Sequence, residues 1–177
     1  MRLPRLRKTQ PDLPGDVAAT LELGRGERVL AHAVDDATGA TVVATTWALC
    51  VVAPDAAAVS LRRPWHVVDA GVWQHETFLL TVTFVDGTRP VQWTLRDQQT
   101  LLPETLRERV QASVVLAQRL SVGERRMARV AIRKDFRTGE LVSQTVLGRG
   151  VRASDVTVQE QVAQALAELE DQVGITR

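Results

Sequence analysis

The stretch from residue 78 to residue 106, FLLTVTFVDGTRPVQWTLRDQQTLLPETL, changes its apolar rhythm part-way along. Phe78, Leu80, Val82 and Phe84 alternate with Leu79, Thr81, Thr83 and Val85, the period of two that a strand requires. Asp86-Gly87 follows as a hairpin turn. After Arg89-Pro90 the alternation resumes, with Val91, Trp93 and Leu95 directed inward and Gln92, Thr94 and Arg96 outward. From Pro103 the spacing becomes helical. Proline suits the first helical position, Glu104 favours the positive end of the dipole, and Leu106, Val110, Val114, Ala117 and Leu120 recur every three or four residues. The expectation is a sheet lidded by an amphipathic helix over residues 103–120, which Gly123 ends.

Upstream, the two-residue rhythm continues. In residues 28–34, Val29, Ala31 and Ala33 alternate with Leu30, His32 and Val34 before the turn Asp35-Asp36-Ala37-Thr38-Gly39. Residues 41–46 are β-branched and run through Trp47 into 49–52, where Pro54 stops the ladder because it has no amide to donate. A short strand over 59–62 follows. The segment 65–73 then places Trp65, Val67 and Trp73 on one face and His66, Val68, Ala70 and Val72 on the other. Before all of these, Pro4, Pro11, Pro14, Gly15, Gly24 and Gly26 interrupt any period, so residues 1–26 read as an arm or loosely docked lead-in.

Downstream, residues 127–134 and 141–147 form a hairpin around a turn at 135–139. A Thr157-Val-Gln-Glu160 capping box opens a second helix with an apolar stripe of Val158, Val162, Ala165, Leu166, Leu169 and Val173, and Gly174 caps its end. A hairpin and one helix bury too little to fold alone, so this unit is expected to dock on the main body or on a second subunit. The fold class is therefore α+β, mainly β. Its parts are the lead-in 1–26, a β domain over 27–122 in which about seven strands form an antiparallel sandwich or barrel closed by the helix, and the hairpin-helix unit 123–177.

Composition excludes several classes. A chain of 177 residues buries a core without disulfides or metals, and its 45% hydrophobic and 24% charged residues are those of an ordinary globular domain. Cys50 is the single cysteine and lies in an apolar run, so it reads as a small core residue. No apolar run approaches the roughly 20 residues that span a bilayer. The basic residues 1–8 lead into Thr-Gln-Pro-Asp and not into an apolar signal, which points to a cytoplasmic protein. A net charge of +1 offers no general attraction for nucleic acid, which is not expected as a partner.

Three passages carry a resemblance. They are Gly26-Glu27-Arg28-Val29-Leu30 at the first strand, Ala44-Thr45-Thr46-Trp47-Ala48-Leu49-Cys50-Val51-Val52, and Trp65-His66-Val67-Val68-Asp69-Ala70 before the Thr-Val-Thr-Phe-Val-Asp-Gly hairpin. With the order of about seven short strands and then one helix, they resemble the pleckstrin-homology-like superfold in its bacterial, GRAM-like form. The resemblance covers the β domain and leaves the C-terminal hairpin and helix outside. It implies a module that binds membranes, peptides or proteins, usually without chemistry. Phosphoinositide-binding members of that superfold carry lysines and arginines in the first loop, whereas this chain has Asp35 and Asp36 there, which repel phosphate. The closing helix also lacks the tryptophan of the eukaryotic domains.

Motifs for chemistry are absent from the sequence. His32, His66 and His75 have no second ligand at metal spacing, and Asp35-Asp36 are explained by a turn. Gly24-Arg-Gly26 and Gly148-Arg-Gly150 lack the rest of a phosphate cradle, and no nucleophile elbow occurs. No catalytic, cofactor-binding or metal-binding residue is assigned. The candidate surface is basic: Arg2, Arg5, Arg7 and Lys8 in the lead-in, and Arg62 and Arg63 beside Trp65. A second basic stretch around Arg125, Arg126, Arg129 and Arg133 reads as protection of a strand edge. The leading expectation is a non-catalytic interaction module for a protein or peptide, in which the C-terminal hairpin and helix either extend the sheet or mediate self-association as a homodimer. Recruitment to anionic membrane by the basic arm is the second, and a small ligand-binding or hydrolytic barrel the third.

Overall fold

A computed structural model describes residues 12–96 and 98–175. Ten strands form three antiparallel sheets, with no closed barrel, and three helices pack on them. The first sheet runs β1 (Val29–Val34), β2 (Thr41–Thr45), β3 (Ala48–Val52) and β4 (Val59–Pro64) in sequential order. The second is a meander of β5 (Val68–Gln74), β6 (Leu79–Phe84) and β7 (Val91–Thr94). These seven strands and their order follow the sequence rhythm.

The hairpin over residues 78–95 has the register the alternation requires. Leu80, Val82 and Phe84 are buried on one face of β6, and Trp93 and Leu95 meet them. They share one core with Ala31, Ala33, Val42, Ala44, Leu49 and Val51 of the first sheet. Phe78 departs from the set: it is 40% exposed with φ +54°, because it ends the β5–β6 turn and has not yet entered the ladder.

Every residue of β2 and β3 is buried, and apart from Thr41 and Thr45 at the ends of β2 all of them are apolar. One face lies in the shared core. The other, with Val43, Ala48, Cys50 and Val52, is covered by Val17 and Leu21 of α1 (Gly15–Leu21). This helix falls within the expected lead-in, where its seven residues are too few to show a period.

The helix expected over 103–120 is corrected by the structure. Helix α2 (Leu102–Ser113) stops at Ser113, and the chain continues directly as β8 (Val114–Ser121). Leu116 and Leu120 are four apart, and four is both one helical turn and an even number of strand steps, so one spacing suits either element. Tertiary context decides. β8 pairs with β9 (Met127–Lys134), which pairs with β10 (Leu141–Leu147), and α3 (Val156–Gln172) covers that third sheet with Val158, Ala165 and Leu169. The C-terminal unit is thus three strands and a helix, and the hairpin and helix sit where expected. Its cap is Asp155, whose carboxylate accepts from the Thr157 and Val158 amides, and not the expected Thr157 box. Gly174, at φ +73°, follows the helix end as expected.

α2 seals the main core with Leu102 and Leu106. The third sheet docks through polar contacts, in which Gln144 Nε2 donates to His66 O at 2.8 Å and Arg129 pairs with Asp69. Among the described residues no helix is long and apolar enough to cross a membrane.

Candidate functional site

Among the described residues, the basic candidate surface is represented by Arg62, Arg63 and Trp65. Arg2, Arg5, Arg7 and Lys8 lie outside the described residues. Arg62 is held by Glu27, whose side chain is fully buried, at 3.2 Å and also donates to Leu21 O. Glu27 in turn accepts from Gly24 N and Thr45 Oγ1, so this ion pair fastens the end of α1 to the first sheet. Arg63 pairs with Asp86 at 2.9 Å, donates to Thr88 Oγ1 at 3.2 Å and stacks over Phe84 at 5.2 Å. Trp65 offers no surface at all. It is fully buried in a 3-10 turn (Trp65–Val67), with its indole N–H donating to Thr45 O at 2.9 Å. Each arginine is paired with an acid far away in sequence, Glu27 buried and Asp86 exposed, which a one-dimensional charge count does not show.

Asp35 and Asp36 hold the two sheets together. Asp35 accepts from Thr38 Oγ1 at 2.6 Å and from Thr94 N at 2.8 Å, and the Asp36 amide donates to Thr94 O at 2.9 Å. Cys50 is inaccessible, and burial pushes its thiol up to about 11, away from thiolate chemistry. Among the described residues no cluster of three His, Cys, Asp or Glu side chains could hold a metal ion.

A groove of about 600 Å³ lies at the N-terminal end of α2. Its first wall is the β5–β6 turn, with Trp73, His75 and Phe78. Trp73 meets Phe78 edge-on at 6.4 Å between ring centroids, and its indole N–H donates to His75 Nδ1 at 2.9 Å. Its second wall is α2 itself, with Pro103, Glu104 and Arg107. The floor and rim come from Leu95, Gln98 and Thr100 of the β7–α2 loop.

Gln98 and Thr100 of that loop are each hydrogen-bonded to β1. The Gln98 amide forms a strand-like pair with β1, accepting from Val34 N at 2.9 Å and donating to Val34 O at 2.7 Å. Thr100 Oγ1 donates to His32 O at 2.6 Å and accepts from Leu102 N at 3.0 Å, closing the first turn of α2. Trp73, Phe78, Leu95 and Pro103 thus form an apolar hollow with an acid and a base, Glu104 and Arg107, three residues apart on one helix face. Chemically it suits an apolar or aromatic side chain flanked by polar backbone. The described lining contains no serine or cysteine.

Sequence reasoning did not single out this groove. Its signal was present in the two aromatic residues, Trp73 and Phe78, that bracket the turn at 74–77. Phe78 was absorbed into the strand rhythm. No protein-family model, curated protein or solved structure matches this chain.

Proposed function

We propose that the chain is a non-catalytic interaction module with a pleckstrin-homology-like core, and that the groove between the β5–β6 turn and α2 receives a segment of a protein or peptide partner. The order of four strands, three strands and a helix supports that core. The groove itself carries the functional reading. Phe78, a large aromatic residue 40% exposed in a left-handed backbone conformation, stands beside Trp73 over a hollow whose loop wall is already hydrogen-bonded in place. Membrane recruitment by the basic arm rests on Arg2, Arg5, Arg7 and Lys8, which lie outside the described residues, so no structural observation favours it over the groove.

The test is selection of a random peptide library displayed on phage against the full chain. The expected result is enrichment of sequences with an apolar or aromatic anchor, lost on Trp73→Ala and on Phe78→Ala and retained on Arg62→Ala. Enrichment that survives both aromatic substitutions, or no enrichment at all, overturns the reading.

A further inference from the structure

The third sheet is open along β8. Its order is β10-β9-β8, and among the described residues the β8 backbone is hydrogen-bonded to β9 alone apart from the Val114 amide, which donates to Gln111 O at the end of α2. The strand is eight residues long, Val114–Ser121, and most of it is exposed. Open edges of this length are ordinarily guarded by proline, lysine, a bulge in mid-strand or a covering element. β8 has neither proline nor lysine, a single charged residue (Arg119), and an irregularity only at its start, between Val114 and Leu116. Val114 and Val115 are 38% and 42% exposed.

We infer that β8 pairs with β8 of a second copy of this chain, antiparallel and centred on Gln118, making one continuous six-stranded sheet. Self-complementarity selects this occupant and this register. Leu116 and Leu120 both face the core under α3, and Gln118 between them shares that face. Centring on Gln118 sets Leu116 of one protomer opposite Leu120 of its partner, twice, and the two Gln118 amides opposite each other, where each can donate and accept. On the reverse face Ala117 stands opposite Arg119, so the two arginines are kept apart. Centring on Arg119 opposes like charges, and centring on Ala117 sets Leu116 against Gln118. The net charge of +1 leaves little repulsion between copies.

The two protomers then contribute their α3 helices to the same face of the sheet, because the two-fold axis is perpendicular to it. Each strand gains the backbone partners its edge lacks.

Sedimentation velocity of the full chain over a concentration series is the primary test, with a dimer expected. Ala117→Lys places an ammonium opposite each Arg119 and is expected to weaken the dimer about tenfold, whereas Ala117→Glu strengthens it. Thermal melts at dilution separate these shifts from misfolding. Gln118→Cys provides a geometric test that requires no disruption. The two thiols meet across the axis within disulfide reach, and Cys50 is buried, so mild oxidation is expected to give a covalent dimer in Gln118→Cys and none in the parent chain or in Gln159→Cys on α3. A monomer at every concentration overturns the inference, even if β8 then captures a strand of another protein. Equal cross-linking at positions 118 and 159 overturns it as well.

Discussion

The Arg133 guanidinium reaches Ser113 Oγ at 3.0 Å through Nε, joining the C-terminal end of β9 to the residue at which α2 gives way to β8. The same group donates to Val68 O at 2.8 Å and Trp65 O at 2.9 Å. Arg133 is 2% exposed and forms no ion pair among the described residues, so carbonyls and one hydroxyl satisfy it. Burial lowers its pKa to about 10, which still leaves it charged at neutral pH. One side chain thus links the third sheet, the turn before β5 and the end of α2.

Replacing Arg133 with methionine keeps the length and removes every donor. The Val68 and Trp65 carbonyls are left buried without it, and the loss is expected to be about 3 kcal/mol or more, read as a drop in the urea midpoint. Arg133→Lys retains the charge but not the planar fork, and is expected to fall between the two. A midpoint unchanged in Arg133→Met would show that the third sheet docks without the help of the Arg133 hydrogen bonds.

Acid sensitivity follows from His66, which occupies the same turn. Its Nδ1 is buried with no hydrogen-bond partner among the described residues, and burial lowers its pKa below the ordinary 6.5, with Asp135 opposing the shift and Arg133 adding to it. His32 is lowered too, by burial, against the pull of Asp12. The unfolded chain therefore takes up protons at about pH 6.5 while the folded chain resists them. Stability is fully present above that value and is lost as pH falls through it toward the folded pKa. Urea midpoints measured from pH 7.5 down to 5.5 are expected to decline. His66→Gln should make that decline shallower, and an unaltered slope would place the proton uptake elsewhere.

The β domain was legible where burial and periodicity coincide. Leu80, Val82 and Trp93 are inward because their strands have one face in the core, and alternation records that directly. The boundary at Ser113 was not legible, since Leu116 and Leu120 satisfy a helix and a strand equally and only pairing with β9 separates the two. The ion pairs of Arg62 and Arg63 were not legible for a related reason. Whether Arg62 is a free cation depends on Glu27, 35 residues earlier, and no local pattern connects them. The groove was hidden because its walls come from a turn, a loop and a helix end, whose residues meet only after the sheet and α2 are packed.

That packing has a steric key in Gly71 on β5, which faces Leu106 of α2. A Cβ built at Gly71 overlaps Leu106 Cδ2, and Leu106 is itself 1% exposed, so its side chain has little room to retreat. Gly71→Ala is expected to destabilise the fold by about 1–3 kcal/mol through overpacking. Leu106→Ala alone is expected to cost about 2–5 kcal/mol by opening a cavity. In the double variant the new methyl occupies space that the leucine vacated, so the combined loss should fall short of the sum by about 1 kcal/mol or more. Additive losses would mean that α2 shifts bodily instead of pressing on one side chain. Such a shift reaches the groove, because Trp73 lies two residues beyond Gly71 on the same face of β5 and Arg107 follows Leu106 on the helix. Gly71→Ala is therefore expected to weaken capture of groove-selected peptides while leaving Trp73 and Arg107 intact, and restoration of that capture in Gly71→Ala/Leu106→Ala would locate the effect in the seating of the helix.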